Sequence, residues 1–162
     1  LFGALAFTLH VIVAFCLPLA AFGFDGWNLP LQIANTTIPY PLTFLQASLA
    51  NLGVVYIVLF AMIGLTLLLS AKMKSPYLVL IVLVPVLFIP LFLSPNGTTG
   101  AYNLILFLLP YRSTIPELGK YITYQIGGLI LDTFTMRAVL YVLLTAAMLP
   151  LARLGFKKHQ VA

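Results

Sequence analysis

The chain has 162 residues, of which 62% are hydrophobic and 7% charged, with a formal net charge of +5. An ordinary soluble domain carries about 25% charged residues, so this composition excludes a domain built to fold in water. The basic residues stand beside apolar stretches instead of forming a stripe interleaved with exposed aromatics, which argues against nucleic acid as a partner and for the cytoplasmic bias of Lys and Arg in membrane proteins.

No charge falls between Asp25 and Lys72, or between Lys74 and Arg112, and each gap is long enough for a helix that crosses the hydrocarbon core. A first span is predicted over 1–22, apolar apart from Thr8 and His10 and ending at Gly23, Asp25, Gly26 and Trp27, where the tryptophan marks an interface. Because the sequence starts inside this hydrophobic stretch, it is expected to be the C-terminal part of a longer protein. Residues 28–43 carry Pro30, Pro39 and Pro41, which deny backbone donors to a regular helix, and are predicted to be a loop at the membrane surface.

A second span is predicted over 44–70, stopping at a short basic turn with Lys72, Lys74, Ser75 and Pro76. The third, over 77–93, contains Pro85 and Pro90 and is expected to kink, with neighbouring helices supplying the freed carbonyls. Two apolar stretches follow, 102–109 and 121–131, each too short to cross about 30 Å of hydrocarbon as a helix. They are separated by Pro110, Arg112, Pro116, Glu117 and Lys120, and the second ends at Asp132. The last span is predicted over 136–154 and runs into a tail with Lys157, Lys158 and His159.

Placing the Lys72/Lys74 turn and the basic tail both in the cytoplasm requires an even number of crossings between them. Spans three and four supply two, so both short stretches enter and leave on the outer side. The expected fold is therefore an all-α integral membrane protein, one transmembrane domain over 1–162, with four transmembrane helices, two short external re-entrant or interfacial helices between the last two spans, and both ends cytoplasmic. Arg112, Lys120 and Arg137 then fall outside, partly balanced by Glu117 and Asp132.

This order, together with 69–76 (Leu69, Ser70, Ala71, Lys72, Met73, Lys74, Ser75, Pro76) and the ending Ala152, Arg153, Leu154, Gly155, Phe156, Lys157, Lys158, His159, Gln160, resembles the C-terminal two-thirds of an ABC-2 type ABC transporter permease. In that family six helices form a half-transporter, with two short external helices between the fifth and sixth. The resemblance implies a plasma-membrane permease subunit that exports a hydrophobic, peptide or antibiotic-like substrate. It implies as partners a cytoplasmic ABC ATPase, a second permease copy or homologous permease, and the lipid bilayer. ATP and magnesium would belong to the ATPase.

The residues themselves carry little catalytic chemistry. No Gly-rich loop ends in Lys-Ser or Lys-Thr to cradle phosphate. The three acids, Asp25, Glu117 and Asp132, all fall near the predicted outer face, so the chain is expected not to be an enzyme. His10 is the one ionisable group deep in a span: either a proton relay or substrate contact, or a neutral imidazole bonded to a neighbouring helix. The first option leaves open a partner-independent, proton-coupled carrier, beside a structural membrane subunit. Cys16 reads as a small buried hydrophobe. Asp132 and Arg137, five apart, are not at pairing distance on a helix and read as a cap and an interfacial anchor, with a gate as the alternative. Arg112, Glu117 and Lys120 form either an external mouth or a solvated loop. Pro85 and Pro90 are candidate flexible points. The sequons at Asn35 and Asn96 are expected to be coincidental.

Overall fold

The computed structural model describes residues 2–34, 38–115 and 117–160, so the Asn35 sequon and Pro116 lie outside the described residues. The chain is mostly helical and divides into two compact units, 1–48 and 49–162.

In the first unit, helix α1 covers Phe2–Phe22. A loop leads from it through a single 3-10 turn at Leu31–Ile33 and then runs back alongside itself. Leu31 N–H donates to the Leu42 carbonyl at 2.9 Å, Phe44 N–H to Leu29 at 3.1 Å and Leu45 N–H to Trp27 at 3.0 Å. These bonds satisfy the backbone of a proline-rich segment that cannot form a helix of its own. Helix α2 then starts at Phe44 behind a reciprocal cap. Gln46 N–H donates to Thr43 Oγ1 at 3.2 Å, and Thr43 N–H donates to Gln46 Oε1 at 3.0 Å. This Thr-x-x-Gln box answers two of the donors that every helix start leaves open.

Helix α2 continues to Lys72, 29 residues in all, and its greater part belongs to the second unit. A tight turn follows, in which Ser75 Oγ accepts from Tyr77 N–H at 3.3 Å and Pro76 occupies the first helical position, where its missing donor costs nothing. Helix α3 spans Pro76–Phe92 and continues through both Pro85 and Pro90, the second of them buried. Helices α4 (Ala101–Leu108) and α5 (Pro110–Ser113) are short, and α6 runs from Thr133 to Gln160. Two helices, Phe44–Lys72 and Thr133–Lys157, are long and apolar enough to cross a membrane.

The all-α expectation fails at 121–131. That stretch is an antiparallel hairpin, β1 (Thr123–Ile126) paired with β2 (Leu129–Asp132), with Thr123 opposite Asp132 and Ile126 opposite Leu129. Its turn is Gly127-Gly128 with φ of +54° and +89°. A two-residue hairpin turn needs positive φ at its centre, which glycine adopts without steric cost. Ile122 and Tyr124 of this segment are buried against Phe107, with Leu104, Leu108 and Met136 around them.

In the second unit the main core lies between α2 and α6: Val54, Val58 and Ala61 pack with Tyr141 and Met148. The two helices run parallel. A methyl group at Gly64 would lie 3.7 Å from Met148 Cβ, and one at Gly155 would come within 2.9 Å of Ala71 Cβ. Seven residues forward on α2 therefore match seven residues forward on α6. At Gly155 and Ala71 small residues let the backbones approach closely, which is how apolar helices associate where no hydrophobic driving force separates them from lipid.

Candidate functional site

At the N-terminal end of α6 the second unit builds a polar junction. Helix α4 ends at Leu108 because Pro110 cannot continue it, so its last carbonyls have no partners within the helix. Two side chains of α6, four residues apart and hence on one face, reach them. Arg137 Nε donates to the Phe107 carbonyl at 3.0 Å, and Tyr141 Oη donates to Leu108 at 2.7 Å. Arg137 Nη1 also donates to the Ile115 carbonyl at 3.1 Å. The positive guanidinium sits at the negative end of the α4 dipole, a favourable placement. From the hairpin, Tyr124 Oη donates to Leu104 at 2.9 Å, and Thr133, the first residue of α6, donates its Oγ1 proton to the Ile122 carbonyl at 3.0 Å. Burial pushes the Tyr124 phenol up to about 12, the nearby Arg137 charge offsetting part of that rise.

Arg137 is therefore not the interfacial anchor that its position in the sequence implied. It is 0% exposed and ties α6 to the end of α4 and to the segment just after α5 instead of snorkelling outward. Asp132 does act as a cap: its Oδ2 accepts from Phe134 N–H at 3.0 Å, and its Oδ1 accepts from Thr135 Oγ1. The sequence carried a signal for the Arg137 role in the Arg137/Tyr141 spacing. Comparing Arg137 with Asp132 alone missed it.

Arg112, Glu117 and Lys120 come together on the same end of this unit. Glu117 lies 3.9 Å from Arg112 and 3.8 Å from Lys120, while Arg112 Nη2 donates to the Leu93 carbonyl at 2.6 Å, closing the end of α3. Both partners of the first pair are about 15% exposed, so they brace the fold more than they line a solvated mouth. Nearby, the Asn96 N–H donates to Asn103 Oδ1 at 3.1 Å, and Asn103 Nδ2 donates to Thr99 at 2.6 Å. At the other end of α6, Arg153 and Lys157 are exposed and border a groove of about 390 Å³ with Leu67 and Phe156.

The first unit holds a separate cleft of about 540 Å³. Phe15 of α1, Asp25, Trp27 and Leu29 of the loop, and Phe44 and Ser48 of α2 line it. The Phe24 and Trp27 rings stand 5.4 Å apart at a tilt of 56°. His10 and Cys16 are on exposed faces of α1, so Cys16 is not the buried hydrophobe the sequence implied. The structure does not bring His10 to this cleft. Among the described residues no three His, Cys, Asp or Glu side chains converge on a metal-sized point. Compared with protein-family models, with characterised proteins and with solved structures, the chain matches none.

Proposed function

We propose that this chain is the membrane-spanning subunit of an ATP-driven exporter, crossing the bilayer through α1, α2, α3 and α6, with both ends of the segment in the cytoplasm. The observation that carries this reading is the parallel α2–α6 pair. It brings Lys72 to the same end as Arg153 and Lys157 and leaves α4, α5 and the hairpin at the opposite end. Two helices that run the same way, linked by one return helix, are what an α2-out-to-in, α3-in-to-out, α6-out-to-in path requires. The basic end then obeys the cytoplasmic bias, and the compact external piece stands between the last two spans, in the order seen in ABC-2 type permeases. The hairpin takes the place of the second external helix of that layout.

In mechanism, an ATPase bound at the cytoplasmic end drives transport only if it binds two arrangements of the helices with different affinity. Pro85 and Pro90 leave the carbonyls of Ile81 and Val86 without their usual helical donors, which makes α3 the element that bends at least cost. Its wide apolar surface, with Leu80, Ile81, Val84 and Phe88 exposed, is available to lipid and to a second permease copy.

The test is co-purification of the intact tagged protein in mild detergent, with identification of the soluble subunit that accompanies it and an ATPase assay. A stoichiometric nucleotide-hydrolysing partner is the expected result. An ATPase-free oligomer that still transports would overturn the exporter reading, and loss of that transport in a His10→Ala variant would establish a proton-coupled carrier in its place.

A further inference from the structure

We propose that the cleft of the first unit binds a soluble organic cation with an apolar body, held by Asp25 and the face of Trp27. The inference deepens the exporter reading by giving its substrate a chemical class. It starts from an account of the three carboxylates in the chain. Glu117 faces Arg112 and Lys120, and Asp132 caps α6. Asp25 alone, among the described residues, has neither an ion pair nor a helix start to serve.

Residues 1–48 contain no Lys or Arg, and the unit's one histidine, His10, is not among the residues that line the cleft. The carboxylate instead borders about 540 Å³ of space whose other walls are mainly Phe15, Trp27, Leu29 and Phe44. Asp25 is exposed, so its attraction for a cation is that of a partly screened surface charge, and the apolar walls supply the rest of the binding by burying the ligand's body. An aromatic face adds to it, and tryptophan is the strongest of the three rings in this role. Ser48 adds the one hydroxyl-bearing residue to the lining. The volume falls within the few hundred to about 1,000 Å³ of small-molecule sites.

Trp27 is the only tryptophan of the chain, so its fluorescence reads the cleft directly. The protein is placed in phosphatidylcholine nanodiscs without ATP or ATPase and titrated with tetraphenylphosphonium, then with tetraphenylborate, which has the same shape and the opposite charge. The phosphonium is expected to change Trp27 emission saturably, with an affinity that Asp25→Asn weakens about five- to tenfold, the scale of one partly exposed charge contact plus its aromatic support. Asp25→Glu should keep most of that affinity. Ser48→Phe, which fills the cleft from the α2 side and leaves the carboxylate in place, should remove the saturable phase, so the proposal stays testable if Asp25→Asn does not fold. Equal behaviour of the two ions, or phosphonium affinity unchanged in both Asp25→Asn and Ser48→Phe, means partition into lipid only and overturns the site. Since neither nucleotide nor ATPase is present, a negative result here leaves the exporter reading standing, and loss of the ATPase partner leaves this site standing.

Discussion

Arg137 shows how one side chain joins three elements. It is fully buried, and two of its nitrogens donate to the carbonyls of Phe107 and Ile115. Arg137→Leu removes both bonds and leaves two buried acceptors open, at about 1–3 kcal/mol for each unsatisfied group. The expected outcome is a destabilisation of about 2–4 kcal/mol, read as a lowered melting temperature in detergent. Arg137→Lys should recover only part of it, since an ammonium lacks the fork that spans two acceptors. Tyr124 gives a pH prediction from the same junction. Its folded value of about 12 stands above the ordinary phenol value of 10.0, so the folded state holds the proton more tightly than the unfolded chain. The stability this contributes is complete below pH 10 and is lost as pH rises toward about 12. In a spectrophotometric titration of the folded protein, Tyr124→Phe should leave the tyrosinate signal near pH 10 unchanged and remove a late-titrating phenol. Loss of signal at pH 10 would show that the Tyr124 hydroxyl is solvated.

Among the elements, what could be read in advance was whatever depends on length and hydrophobic run. The four predicted spans are each helical, the first three ending within two residues of their predicted limits and α6 starting three residues earlier and running six further, because a stretch without charge or turn residues has few alternatives to a helix. The hairpin was not read, although its signals are present. Thr123, Tyr124, Gln125 and Ile126 alternate in polarity before Gly127-Gly128, a pattern of period two with a two-residue glycine turn. Short-run hydrophobicity alone cannot separate a strand from a helix, and the turn had to arbitrate. The α2–α6 pairing was also hidden, since its close point rests on two small residues, Ala71 and Gly155, far apart in sequence. It makes a sharp prediction. Gly155→Ala places a methyl within 2.9 Å of Ala71 Cβ and 3.3 Å of the Ala71 carbonyl, contacts with no flexible tip to move aside. The expected cost is about 1–3 kcal/mol, the range for an added methylene in a filled contact. Ala71→Gly in the same chain should restore most of it. A double variant no more stable than Gly155→Ala would mean that the two helices do not meet there.

For the whole molecule the decisive quantity is which ends share a side of the membrane. The α2–α6 packing groups at one end the basic residues that the proposed topology needs on one side. The sequence places Lys72, Lys74 and the Arg153–Lys157 end together because cations accumulate in the cytoplasm. The structure puts Lys72 and Arg153 at one end because α2 and α6 pack in the same direction. The sequence could not reveal α4, α5 and the hairpin as one folded piece, because it is held by Arg137, Tyr141 and Tyr124 reaching carbonyls between 20 and 33 residues away. Single-cysteine labelling in a Cys16→Ala background tests the arrangement as a whole. In right-side-out vesicles, a maleimide that cannot cross the bilayer should label Asn96→Cys and leave Lys74→Cys and Lys157→Cys unreacted until the membrane is opened. The prediction concerns relative sides, so it holds whichever way the first helix enters. Labelling of position 74 from one side and 157 from the other would require an odd number of crossings between them, and a parallel α2–α6 pair spanning the same bilayer could not then exist. If both label from outside while 96 stays protected, the pair is kept but inverted, the basic end faces outward, and a cytoplasmic ATPase would have to act from the end that carries the hairpin.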